Sequence, residues 1–174
     1  MIWNISNILS LSRMLLAVPM YFALIFDNKI LVFVICVIAY ITDLLDGYFA
    51  RRFNQITEFG KIIDPLADKI FIGMTSLILL LQHRLPLWFA VVIFGRDLLI
   101  LLGGLYAAKK IGMIIPSNYI GKATVIITGL TLLLIIFDIA FLIGYAILFS
   151  TIAAIFSLLI YMIGMINKLS NRKI

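Results

Sequence analysis

The sequence predicts an all-α integral membrane protein with six transmembrane helices and a short N-terminal interfacial segment. Three observations carry that expectation. Hydrophobic residues make up 64% of the 174 and charged residues only 13%, where a soluble domain sits near half and a quarter. The mean hydropathy is +1.21. The apolar residues also fall in stretches of about 20, the length that crosses a hydrocarbon core, with short polar breaks between them. A soluble enzyme, a disordered chain and a nucleic-acid-binding module are all excluded by this composition.

The apolar stretches are 8–26, 30–50, 59–81, 86–108, 119–137 and 139–166, and the last is long enough to tilt or to kink near Gly144 or Gly164. Residues 1–12 read as the interfacial segment, with Trp3 as its anchor. They lack a basic start and Arg13 interrupts the apolar run, so no cleavable signal is expected. No repeat or low-complexity linker divides the chain, so 1–174 is taken as a single domain. Cys36, the one cysteine, lies in an apolar run and reads as helix packing.

The net charge of +6 reports membrane orientation rather than nucleic-acid affinity. Arg51, Arg52, Lys61, Lys109, Lys110, Lys168, Arg172 and Lys173 fall on one side of a six-span arrangement, and only Lys29 and Arg84 on the other. Basic residues collect on the cytoplasmic side. Both termini and the loops 51–58 and 109–118 therefore face the cytosol.

Four of the eight acids, Asp43, Asp46, Asp64 and Asp68, flank the loop after the second helix. Spacings of three and four put each pair on one helix face. The loop is short, so the two helices are expected to be antiparallel neighbours whose acidic faces converge. Four gathered carboxylates repel one another unless they protonate or cations offset them. Oxygen-only ligands favour hard ions such as Mg²⁺, Mn²⁺ or Ca²⁺. Four negative charges match two divalent ions, a common arrangement for phosphoryl transfer. The bland alternative is that these acids cap helices or pair with Arg51, Arg52, Lys61 and Lys69. Gly47, Gly60 and Ala50 leave room beside the acids. Arg51, Thr57 and Lys61 are candidate phosphate donors.

Together these residues spell D-x-x-D-G-x-x-A-R, eight residues, then G-x-x-x-D-x-x-x-D, with every fixed position filled. The pattern resembles the signature of the CDP-alcohol phosphatidyltransferase family. That resemblance implies a homodimeric six-helix membrane enzyme. It would transfer a phosphatidyl group from a CDP-linked donor such as CDP-diacylglycerol to an alcohol, with release of CMP. It also implies two metals, Mg²⁺ or Mn²⁺, on Asp43, Asp46, Asp64 and Asp68, with Asp68 doubling as general base. Gly47, Ala50, Arg51, Thr57 and Gly60 would contact the CDP part. The site would face the cytoplasm of a bacterial inner membrane.

Further positions resemble the branch of phosphatidylglycerophosphate and cardiolipin synthases. Asn4-Ile5-Ser6-Asn7 and Arg13 are similar to that branch's opening Asn-Ile-Pro-Asn…Arg, with Ser6 in place of proline. Arg96-Asp97, Pro116-Ser117 and Gly121-Lys122 look more like the cardiolipin synthases, because the phosphatidylglycerophosphate synthases carry Arg-Glu and a later Arg. The acceptor expected is glycerol 3-phosphate, with phosphatidylglycerol as the alternative. Either one carries a phosphate, for which Arg96 and Lys122 are the candidate ligands. Their bland readings are a structural contact of Arg96 with Asp97 or a helix dipole, and snorkelling of Lys122. A rival of another class is a divalent-cation or proton transporter. It lacks the acids it would need in 30–42 and 70–81. An inactive assembly partner in lipid synthesis is the remaining alternative.

Overall fold

The computed structural model describes residues 5–52, 60–111 and 119–170, and every regular element among them is an α-helix. In chain order these are α1 (Ile5–Leu15), α2 (Ala17–Ile25), α3 (Lys29–Arg52), α4 (Gly60–Leu81), α5 (Leu87–Ile111), α6 (Tyr119–Ile136) and α7 (Ala140–Ser170). Five of the six sequence-derived stretches each become one helix, with ends shifted by no more than about one turn. No break in α7 occurs at Gly144 or Gly164.

The first stretch differs. Its helix already begins at Ile5, inside the segment expected to be interfacial, and Ser10 and Arg13 are buried in protein. It then breaks at Leu16, whose N–H is shared between the Ser12 and Arg13 carbonyls at 3.0 and 3.1 Å. Pro19 accounts for the break. It has no N–H for the Leu15 carbonyl four residues back, and its ring crowds that carbonyl.

Three stretches are long and apolar enough to cross a membrane: Ile8–Ile25, which runs through the break, Leu87–Ala107 and Ala140–Asn167. Ile120–Ile136 is a shorter apolar helix. The six-span count is not reached by this measure among the described residues. In α3 and α4 the uninterrupted apolar parts run only over 30–42 and 70–81, because each helix carries its acids at the end next to the 53–59 connection. Large apolar side chains such as Phe26, Ile30, Phe141 and Tyr145 point outward, as they do where lipid is the solvent.

The chain divides into two compact units, Met1–Gln82 and His83–Ile174. In the first, α1 and α2 each pack on both α3 and α4. Among the described residues α3 and α4 do not pack extensively on each other. The broken α1–α2 rod thus contacts both acid-bearing helices. Buried alanines on three helices, Ala17 and Ala23 on α2, Ala39 on α3 and Ala67 on α4, thin the layer and allow close approach without a hydrophobic driving force in lipid.

In the second unit, α7 packs on both α5 and α6. Buried α7 residues Ile147, Ser150, Ala154, Ser157, Tyr161 and Met165 recur every three or four positions, a single seam along the helix. Facing them, Thr124, Thr128 and Thr131 of α6 are buried. Thr124 and Thr131 donate to their own i−4 carbonyls at 2.8 and 2.9 Å, and lie 3.2 and 3.3 Å from the Ala153 and Ala146 carbonyls of α7. Thr128 and Ser150 share a hydrogen bond of 3.2 Å. Small hydroxyl residues of this kind join helices where water is absent. Farther along, Gly103 and Gly104 leave space for α7. A Cβ on Gly104 would stand 3.0 Å from the Tyr161 hydroxyl.

Tight turns connect α2 to α3, α4 to α5 and α6 to α7, each with a residue at positive φ: Asp27 (48°), His83 (57°) and Asp138 (54°). Asn28 N–H donates to the Ala23 carbonyl at 2.8 Å and Asp27 N–H to Leu24 at 3.2 Å. Ile139 and Asp138 repeat that pattern on Leu134 and Ile135, at 3.1 and 3.2 Å. This pair of bonds is the Schellman closure, usually built on glycine. Asp is among the few other residues that tolerate the left-handed conformation. Asn28 then caps α3 by accepting from Leu31 N–H at 3.0 Å.

Arg84 locks the end of α6. Its Nη2 donates to the Ile135 and Ile136 carbonyls, both at 3.0 Å, and to Asp138 Oδ1 at 2.8 Å. Arg84→Gln is therefore expected to lower the stability of the detergent-solubilised protein by about 1–2 kcal/mol. Asp138→Asn should cost less, because it keeps the turn conformation and leaves Arg84 both carbonyls. Thermal unfolding of the two variants checks the order.

Candidate active site

An arginine inside a membrane helix needs a partner, since charge in hydrocarbon costs several kcal/mol. Arg13 on α1 is only 3% exposed, and among the described residues its partners include acids from two other helices. Its Nη1 lies 3.0 Å from Asp43 Oδ1 of α3 and also donates to Asp68 Oδ1 of α4. One guanidinium nitrogen thus joins the two halves of the acidic motif. The carboxylates are half open on their other sides, at 54% and 41% exposure.

The two oxygens share one neighbouring atom, so they stand within about 6 Å of each other. Unit charges that close repel by roughly 3 kcal/mol at an effective dielectric of ~20, and by less at this exposure. A cation between them reverses the sign. Asp43 of α3 and Asp68 of α4 therefore meet at a charge carried by α1.

The other motif residues are placed by backbone only. Asp46, Gly47, Ala50 and Arg51 lie on the last turns of α3, and Gly60 and Asp64 on the first turns of α4. Their side chains lie outside the described set, as does Thr57 altogether. Asp46 follows Asp43 by three residues and Asp64 precedes Asp68 by four, so each lies about one helical turn from an acid that meets Arg13. Among the described residues no group of three or more acidic, histidine or cysteine side chains forms. The described donor set is two carboxylates converging on one positive charge. In kind that fits a hard divalent cation, which takes oxygen ligands only.

The acceptor candidates lie in the second unit. The Arg96 side chain is 10% exposed. Its Nη1 donates to Asp97 Oδ1 at 2.6 Å, and its Nη2 lies 2.9 Å from Ser157 Oγ of α7 and 3.4 Å from the Gly121 carbonyl of α6. The expected structural contact with Asp97 is present, and Arg96 also ties α5 to both other helices. Its buried Nε has no hydrogen-bond partner among the described residues. Lys122, next to Gly121, is exposed. The two cationic candidates therefore share the Gly121 end of α6.

Sequence reasoning missed Arg13 as a partner of the acids; its bland alternative named Arg51, Arg52, Lys61 and Lys69, and of these the side chains of Arg51, Arg52 and Lys61 lie outside the described residues. A signal was available. Arg13 is a charge within an apolar stretch, and the argument that demands a partner for Arg96 demands one for Arg13 too. Ser157 as a support for Arg96 had no signal of its own, since a serine in a membrane helix is common.

Comparison with known proteins bears on what this arrangement belongs to. Residues 3–165 match the family described as CDP-alcohol phosphatidyltransferase. A CDP-diacylglycerol–glycerol-3-phosphate 3-phosphatidyltransferase from Aquifex aeolicus is 35% identical over 145 residues, covering 80% of this chain and 81% of that protein. One of the same name from Bacillus subtilis is 36% identical over 89 residues, 51% of this chain and 46% of that protein. A cardiolipin synthase (CMP-forming) from Streptomyces coelicolor is 35% identical over 130 residues, covering 69% and 59%. With its motif complete and the match running through both units, the chain belongs to the CDP-alcohol phosphatidyltransferase family.

Proposed function

We propose that this protein transfers the phosphatidyl group of CDP-diacylglycerol to glycerol 3-phosphate, releasing CMP, as a step of phospholipid synthesis. The observation that carries the reading is the convergence of Asp43 and Asp68, one from each half of the motif, on one cationic point. The choice of acceptor is supported by the Aquifex relative, which is named for glycerol 3-phosphate and aligned over most of both chains. Phosphatidylglycerol is the second reading, favoured by Arg96-Asp97 and by the Streptomyces relative. Family membership sets the transporter aside.

Asp43, Asp46, Asp64 and Asp68 would hold two divalent cations, Mg²⁺ or Mn²⁺. These ions, when bound, offset the charge of the pyrophosphate and of the departing CMP. Asp68 takes the proton from the acceptor hydroxyl as its oxygen bonds to the phosphatidyl phosphorus. The phosphorus–oxygen bond to CMP breaks, and CMP leaves with the electron pair. Gly47, Ala50 and Gly60 allow the nucleotide to approach the backbone. Arg51 and Thr57 donate to its phosphates. Lys122, with Arg96 behind it, holds the acceptor phosphate. The donor's acyl chains stay in the bilayer throughout.

The rest of the reading concerns the setting. We take α1–α2 together, and each of α3 to α7, as one span, which makes six. The basic residues of 51–61, 109–110 and 168–173 support a reading in which the acids face the cytoplasm, in a bacterial inner membrane. One family domain covers both units, and the working form is a homodimer. The family match across residues 3–165 supports the single domain.

Purified protein with Mg²⁺ or Mn²⁺ is expected to release CMP from CDP-diacylglycerol only when an acceptor is present. Glycerol 3-phosphate and phosphatidylglycerol, run side by side, identify the acceptor by product mass. Asp68→Asn should lower turnover by at least about 100-fold with an unchanged helical spectrum, and undiminished turnover removes its role as base. Lys122→Gln should raise KM for the acceptor about tenfold. KM for CDP-diacylglycerol and the unfolding midpoint should not move, because Lys122 is exposed.

A further inference from the structure

Arg13 stands between two carboxylates of the acidic motif, the groups that would hold a metal. Its Nη1 meets the Oδ1 atoms of Asp43 and Asp68 together. Asp43 and Asp68 are two of the four carboxylates that would hold the divalent cations. We propose that Arg13 is a resident counter-cation of the acidic centre. It holds the two carboxylates together before a divalent ion arrives and gives up its place when one binds. The proposal rests on the metal-dependent reading above.

Three observations carry it. Arg13 is almost fully buried, so its charge is fixed among its partners and not shared with water. Its partners lie on helices that do not pack extensively on each other among the described residues. In the metal-free protein, the attraction of Asp43 and Asp68 to Arg13 then opposes their mutual repulsion. Finally, a guanidinium and a divalent ion held by Asp43 and Asp68 would compete for the same two carboxylates. The ion has twice the charge and a smaller radius, and so it wins at sufficient concentration.

Arg13 is on this account a positioning residue, and it weakens metal binding as the counterpart of stabilising the metal-free protein. Removing its charge leaves the metal-free centre in repulsion and the metal without a competitor. By linkage, divalent ions should then stabilise the variant more than they stabilise the native chain. An arginine that served only to join helices would lower stability by the same amount with and without metal.

The test is thermal unfolding of the full chain in detergent against Mn²⁺ concentration, for the native protein, Arg13→Gln, Arg13→Lys and Asp43→Asn. Without Mn²⁺, Arg13→Gln should unfold at a lower temperature than native. Its rise in midpoint on saturation should be larger than native, with half-saturation at about tenfold lower Mn²⁺. Arg13→Lys keeps the charge on a compact ammonium that lacks the planar fork, and it should fall between the two. If Arg13→Gln does not fold, tighter Mn²⁺ binding by Arg13→Lys than by the native protein carries the test. Asp43→Asn should lose most of the Mn²⁺ effect. An equal or smaller Mn²⁺ shift in Arg13→Gln overturns this proposal alone. A native protein indifferent to Mn²⁺ ends both this proposal and the metal-dependent reading.

Discussion

Two aspartates from different helices face each other in the first unit, and the arrangement holds only while positive charge lies between them. Arg13 supplies that charge from a third helix. The placement follows from the local sequence. Pro19 breaks the first apolar stretch at Leu16, and the broken rod packs on both α3 and α4. An arginine one turn before the break then reaches both acid-bearing helices. The same interaction meets the needs of three charges, each of which would be expensive alone in a membrane.

The second unit solves a different problem with related means. Lipid gives helices no hydrophobic reason to associate, so packing and hydrogen bonds must do it. Threonines of α6 reach across to α7 carbonyls, and glycines of α5 admit Tyr161 and Met165. Arg96 meets all three helices through Asp97, Ser157 and the Gly121 carbonyl. An arginine held on three helices by its two terminal nitrogens is well suited to hold the surroundings of Lys122 rigid. Its contribution to an anion site would be a fixed field rather than a mobile side chain.

Much of this was legible in the sequence. Helix boundaries were readable because the polar breaks are short and the apolar stretches long, as at Asp27-Asn28-Lys29 and at Asp138. The four aspartates and their glycines were legible as a site because charge in an apolar chain needs a reason. The packing of α1 and α2 on both α3 and α4 was not legible. A short loop fixes the distance between helix ends, but it does not say which other helices pack on both bodies. Arg13 shows the same limit. Periodicity places it on a helix, yet which acids it meets depends on packing that one sequence does not display. The burial of Ser10, inside the segment expected to be interfacial, was not legible for a related reason, since an apolar run broken by one charge does not say which of its side chains meet other helices. Ser10 and Arg13 are buried.

The account depends on Asp43 and Asp68 holding the same ion, and Mn²⁺ binding measures that directly. The free-ion electron paramagnetic resonance signal is followed as purified full-length protein is titrated, for native, Asp43→Asn, Asp68→Asn and the double variant. The prediction is that each single substitution weakens binding at least about tenfold. The double variant should lose less than the product of the two, because the side chains share one partner. Native-strength binding in either single variant, or independent losses that simply multiply, would contradict it.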